Sequence, residues 1–174
     1  DDIVVNKNFL PFMKYYLNLY KNNPKIMNIS GFSTKMKIPK DYKYDCYLTK
    51  RSMSWGQGSW RRVWLKFKNL KQNHKSVLKV KKNKTKLIRA GGEDILRAMI
   101  LDYWKIIESI QVWWIWNIIK NNGLCINPIG SLVKNIGFDG TGYHTKKGDF
   151  FPRNKDYLSQ KKMQEPFFSE EINK

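Results

Sequence analysis

Apolar positions recur every three or four residues along the start of the chain. Phe9, Phe12, Met13, Tyr16, Leu17 and Tyr20 form one stripe, with Asn6 or Asn8 able to cap its start, Pro11 tolerated in the first turn, and Asn22-Asn23-Pro24 stopping it. The spacing predicts a helix. Ile3-Val4-Val5 reads as a strand end, and Lys25 to Ser30, closed by Gly31, as a buried strand. Residues 33–54 show no periodicity and are predicted as loop. Ser59 is placed to cap a helix through Trp60, Val63, Trp64 and Phe67. Residues 71–89 are Lys-rich with sparse apolar positions and predict an exposed connection or short edge strands. After Gly91-Gly92, Glu93 to Tyr103 predicts an amphipathic helix with Ile95, Leu96, Met99 and Ile100 inward. Ser109 is placed to cap a helix that is apolar nearly all round and therefore buried, ended by Asn122-Gly123. Leu124 to Ile126 predicts a strand, followed by a glycine-bearing stretch from Ser131 to Thr145. This order suits the later part of an α/β layer fold, with one domain over 1–150 and a polar tail over 151–174.

Composition adds constraints. The 174 residues suffice for one domain with a core, and 41% hydrophobic content is globular rather than disordered. The net charge of +19 points to polyanionic or phosphorylated partners. Lys and Asn recur together, however, as a drift in codon usage would produce, so much of that charge reads as solvated surface. Cys46 and Cys125 make no CxxC or metal-knuckle spacing and read as a reduced cytosolic pair. The longest apolar stretch, Ile110 to Ile119, is about half of the ~20 residues a membrane span needs. The expectation is a cytoplasmic protein, at most held to the inner face of the plasma membrane. The chain opens without Met on Asp1-Asp2, straight into a strand end, which suggests a missing N-terminal portion.

Four segments could carry chemistry. Adjacent carboxylates Asp1 and Asp2 at a strand end suit a hard divalent cation, Mn²⁺ or Mg²⁺, although acidic residues at a chain start are ordinarily solvated. In Ser54 to Trp64, Gly56 and Gly58 allow close backbone approach, Trp55 and Trp60 can stack on sugar rings, and Arg61 or Arg62 can reach phosphate. On pattern alone, a core-packing loop and helix with surface arginines is the better reading there. Glu108, at a helix start beside apolar residues, suits either a general base or a partner for the helix dipole. In Ser131 to Thr145, Gly137, Gly140 and Gly142 surround Asp139 and precede His144, as in a loop closing on a polar ligand. A lone His is more often a surface or hydrogen-bonded one.

Taken together, these segments resemble bacterial family 2-type glycosyltransferases of the GT-A fold that act in surface-polysaccharide synthesis. The resemblance runs through Asp1-Asp2-Ile3-Val4-Val5, Phe9 to Met13, Ile29 to Phe32, the block Trp55 to Trp64, and Lys120 to His144, covering nearly all of residues 1–145. It implies a partial GT-A domain that moves a sugar from a nucleotide-diphosphate donor to a saccharide or lipid-linked acceptor. It further implies inversion and a divalent cation. Asp2 and His144 would bind the metal; Asp1, Trp55, Gly56, Trp60, Arg61, Asp139, Gly140 and His144 would line the donor and acceptor sites; Glu108 would be the base. The chain departs from the pattern at Ile110, where relatives usually carry Trp, and at Trp113, where Arg or Gln is usual. The strands that hold the nucleobase precede the acidic motif in the family, so this chain is expected to bind donor poorly and to be inactive as it stands. No specific nucleic acid partner is expected from the resemblance. The alternative function is a basic, aromatic-rich, non-enzymatic module. It would grip single-stranded nucleic acid or adhere to an anionic membrane through the helix at 110–119.

Overall fold

A computed structural model of the chain describes residues 3–34, 37–67 and 74–137. The fold is mixed α/β. In chain order the elements are β1 (Ile3–Val5), α1 (Phe9–Leu19), β2 (Ile26–Ser30), β3 (Cys46–Thr49), β4 (Gln57–Gly58), α2 (Arg61–Lys66), α3 (His74–Lys79), α4 (Lys81–Gly91), α5 (Glu93–Tyr103), α6 (Ile110–Lys120), β5 (Leu124–Pro128) and β6 (Val133–Asn135). A four-stranded sheet runs β3-β5-β2-β4, and β1 and β6 form a separate two-stranded ribbon. Strands β2 and β5 are parallel, while β3 and β4 run antiparallel to their neighbours.

Alternation along the central strands sends successive side chains to opposite faces, and an irregularity in β2 between Ile26 and Asn28 shifts the phase so that Ile26 and Ile29 share a face. On one face Ile26, Ile29 and Ile126 pack with Phe12, Met13, Tyr16 and Tyr20 around α1. On the other, Met27 and Cys125 meet Val63 and Phe67 near α2 and Trp114 and Ile118 of α6. The opposite side of α6 carries Val112, Trp113, Ile115, Trp116 and Ile119 into a second core with Leu87 of α4 and Ile95 and Met99 of α5. Helix α6 is apolar all round because it lies between a sheet and two helices. No helix among the described residues is long and apolar enough to cross a membrane.

The structure corrects several expectations. Residues 46–49, predicted as loop, form β3, whose Cys46 to Thr49 pair antiparallel with Pro128 to Cys125. Within the stretch expected to be edge strand or connection lie helices α3 and α4. Lysines are good helix formers, and the short apolar patch of α4, with Leu87 buried, is completed by α6. Ser59 does not cap α2: Trp60 holds that position, and the Ser59 hydroxyl donates to the Met27 carbonyl at 2.8 Å. Ile100 is exposed, and Asp102 takes the inward place instead. Trp113 and Trp114 are core residues, so α6 cannot offer them to a membrane.

Candidate functional site

Ligands of open α/β sheets bind beyond the carboxyl ends of parallel strands. Here Gly31, just after β2, is the meeting point of three segments. Its N–H donates to the Gly56 carbonyl at 2.8 Å, and its own carbonyl accepts from Leu132 N–H at 2.8 Å. Leu132 in turn accepts from Asn6 N–H at 2.9 Å, which ties in the end of β1. Ser30 anchors the approach to the tryptophan–glycine block, its hydroxyl lying 3.1 Å from the Met53 carbonyl and 3.4 Å from that of Trp55.

Gly56 has a φ of +64°, and a Cβ there would fall 2.7 Å from the Phe9 ring and 2.9 Å from Val133 Cγ1. Its glycine is thus required by turn geometry and by close packing of α1 and β6. Trp55 meets Phe32 edge-on with ring centroids 4.4 Å apart. Trp60 is partly buried and donates its indole N–H to the Leu17 carbonyl at 3.0 Å. Arg62 stacks over Trp60 at 4.6 Å and donates to the carbonyls of Lys21, Asn23 and Ile26 at 3.1, 2.8 and 2.8 Å, capping the chain after α1. Of the two arginines offered for phosphate, Arg62 is therefore engaged in the fold, and Arg61 is exposed.

The third segment reaches the same edge through Gln111, whose amide donates to the Ser52 carbonyl at 3.0 Å and lies 3.2 Å from the Ser52 hydroxyl. A cavity of about 190 Å³ opens between the two blocks, lined by Gln57, Ser59, Trp64, Ile110, Gln111 and Trp114. Trp114 is fixed from behind, its indole N–H donating to Asn28 Oδ1 at 3.1 Å. Near the end of β5, Asn127 is fully buried and neither atom of its side-chain amide has a hydrogen-bond partner. Such an amide is costly unless water or a ligand group reaches it. Glu108 is exposed and stands two residues before α6.

Asp102 is the residue the sequence reading missed. It is buried, accepts the Ser109 N–H on Oδ1 at 2.8 Å and the Trp113 indole N–H on Oδ2 at 2.6 Å, and so fixes the segment that carries Glu108. Its signal was available: Ile95, Met99 and Asp102 lie on one helical stripe, where a carboxylate is out of place unless paired.

Register joins the remaining segments. Ile3 pairs with Asn135 and Val5 with Val133 in antiparallel sense, so the chain enters β1 at the end of the ribbon where it leaves β6. Asp1, Asp2, Asp139, Gly140 and His144 lie outside the described residues. Among the described residues no group of three or more His, Cys, Asp or Glu gathers to hold a metal.

A second buried polar group underlies β3. Tyr16 donates its hydroxyl to Asp45 Oδ1 at 2.8 Å and accepts from the Cys46 thiol at 3.2 Å. Burial, reinforced by Cys46 and Asp45, raises the Tyr16 phenol far above its ordinary range. Burial also pushes the Cys46 thiol up to about 12, against the lowering effect of its bond to Tyr16. This arrangement stabilises neutral forms and marks a structural rather than a nucleophilic cysteine.

No protein-family model, curated protein or solved structure matches the chain.

Proposed function

We propose that the chain is part of a GT-A-type glycosyltransferase and carries its acidic motif in Asp1-Asp2, transferring a sugar from a nucleotide-diphosphate donor to a saccharide or lipid-linked acceptor in bacterial surface-polysaccharide synthesis. The observation that carries this reading is the convergence of separate chemistry-bearing segments on one edge of the sheet. Gly31 bonds to Gly56 and Leu132, Gln111 reaches Ser52, and β1 pairs antiparallel with β6 from Ile3–Asn135 to Val5–Val133. Residues so far apart in sequence gain nothing from this meeting unless they share a ligand or a core, and the ordered motif set favours the ligand.

In this reading the cavity between Gln57 and Gln111 receives the sugar or acceptor. At about 190 Å³ it is smaller than the roughly 300–1,000 Å³ of ordinary ligand pockets, which suits one ring rather than a whole nucleotide sugar. Trp64, half exposed, supplies an apolar face for the ring with the buried Trp114 packed behind it, and Gln57, Ser59 and Gln111 supply hydrogen bonds. Glu108, two residues before the cavity-lining Ile110, takes the acceptor hydroxyl proton as that oxygen attacks the anomeric carbon and the diphosphate leaves from the opposite face. The implied cation, Mn²⁺ or Mg²⁺, would rest on Asp2 and His144 and would offset charge on the leaving diphosphate.

The test is turnover of UDP-, GDP- and TDP-hexoses with Mn²⁺ in the full reading frame that encodes the chain. Asp2→Ala, His144→Ala and Gln111→Ala should each slow transfer; unchanged rates in all three would reject the reading.

A further inference from the structure

The turn between α5 and α6 presents a row of large apolar side chains to solvent. Trp104 is 68% exposed, Ile106 67% and Ile110 58%, with Tyr103 and Ile107 partly exposed beside them. This is not a loose excursion. Lys105 holds a left-handed φ of 58°, its N–H donates to the Asp102 carbonyl at 3.1 Å, and Ile106 N–H donates to the Leu101 carbonyl at 2.9 Å. Those bonds close α5 in the manner of a Schellman cap, with Lys105 in the place where glycine is usual. The other end of the turn is tied by Ser109 N–H to Asp102 Oδ1, and Asp102 is held by Trp113. A strained, doubly tied turn that keeps Trp104 and Ile106 two-thirds in water costs solubility and ordering, and such apolar surface marks an interaction site.

We infer that residues 103–107 form a wedge that docks the protein on an anionic lipid bilayer. Two features, one of this segment and one of the whole chain, select the occupant. Its mixture of Tyr, Trp and Ile around a lysine is the mixture favoured at membrane interfaces. The chain carries a net charge of +19, which draws it to an acidic surface and adds an attraction that the apolar contacts then convert into a seat. No helix among the described residues crosses a bilayer, so the attachment is peripheral and reversible. The seat is the α5–α6 turn and not α6 itself, whose tryptophans are buried.

The experiment is sedimentation of the 174-residue chain with phosphatidylcholine vesicles with and without phosphatidylglycerol. Binding is expected on the anionic vesicles, weakened but not removed by salt. The double substitution Trp104→Ser with Ile106→Ser should lower the partition coefficient on the order of 100-fold, roughly tenfold for each large side chain removed. Leu10→Ser, also at an exposed apolar site, should leave binding unchanged. A second readout needs no stability control: brominated lipid should quench part of the tryptophan emission of the parent, and Trp104→Phe should remove that part. Equal vesicle binding by the double variant would overturn the inference, leaving only general adhesion of a basic surface. Self-association without vesicle binding, relieved by the double substitution, would overturn it in favour of a protein interface. Docking through this turn does not depend on sugar transfer, so neither result bears on the transferase reading.

Discussion

Asp102 and Trp113 are joined by a buried hydrogen bond, the indole N–H donating to Oδ2 at 2.6 Å, while Oδ1 takes the Ser109 N–H at 2.8 Å. One carboxylate thereby sets the distance between the end of α5 and the start of α6. Removing it takes this acceptor from one buried and one partly buried donor. Asp102→Ala should lower stability in urea unfolding by about 2–4 kcal/mol. Asp102→Asn keeps an acceptor oxygen and should cost less. Equal stability of the alanine variant and the parent would show that the tie is idle.

Gly92 joins α4 to α5 with a φ of +100°, and a Cβ there would lie 2.5 Å from Asp94 Oδ1 and 3.1 Å from Arg51 Nη1. Gly92→Ala must therefore strain the backbone and displace the Arg51–Asp94 pair at once. The expected loss is about 2–3 kcal/mol, read as a shifted urea midpoint at unchanged slope.

That pair gives a pH signature. Burial alone would raise the Asp94 carboxyl, but the two Arg51 bonds at 2.9 and 2.5 Å, with backbone N–H donors at the helix start, hold it below its ordinary value. A depressed carboxyl contributes stability above the unfolded value, and the contribution is lost as pH falls through the folded one. Asp94→Asn should cost at most about 1 kcal/mol at neutral pH, because the pair is partly exposed. The two unfolding curves should converge in acid, below roughly pH 4. A constant difference down to strong acid would refute this.

At the alkaline end, alongside Cys125, whose thiol burial also raises, Cys46 contributes to the trend. Its thiol, pushed up to about 12 by burial, stays protonated in the fold while the unfolded thiol ionises near its ordinary value of about 8.5. The contribution is therefore complete below that value and declines as pH rises towards 12. Native protein at pH 8 should resist thiol reagents at both Cys46 and Cys125, labelling only as fast as it opens. Rapid native labelling of either would contradict their burial.

If Glu108 is the base, Glu108→Gln should lower kcat by about 10²–10⁴-fold and leave the donor KM unchanged. Gln111→Ala should instead raise KM, because the cavity loses a polar contact. A kcat untouched by Glu108→Gln would return Glu108 to the role of a solvated helix-dipole partner.

Local pattern explains what was legible and what was not. Helices α1, α5 and α6 were readable because their apolar stripes repeat over three turns, and β2 because all five of its positions are buried and Gly31 closes it. Helix α4 was hidden because few of its positions are apolar and their partner surface, on α6, lies some thirty residues later. Strand β3 is four residues long, too short for alternation to show, and exists by pairing with β5. The candidate site was visible as motifs but not as a place: its assembly depends on the Ile3–Asn135 register and the Gly31 bonds, which no local window contains. Arg62 and Gly56 answered to packing needs, and Asp102 was concealed by lying within a helix whose other inward residues are apolar.

The middle of the sheet is filled last. Strand β5 slots between β3 and β2, which precede it by some eighty to a hundred residues. During synthesis those two earlier strands must wait with unpaired edges until residue 128 has left the ribosome, a situation that invites association with other chains. Expression of this protein should accordingly benefit from slower translation or from chaperones that shield nascent strands, and truncations ending before β5 should be recovered as aggregates.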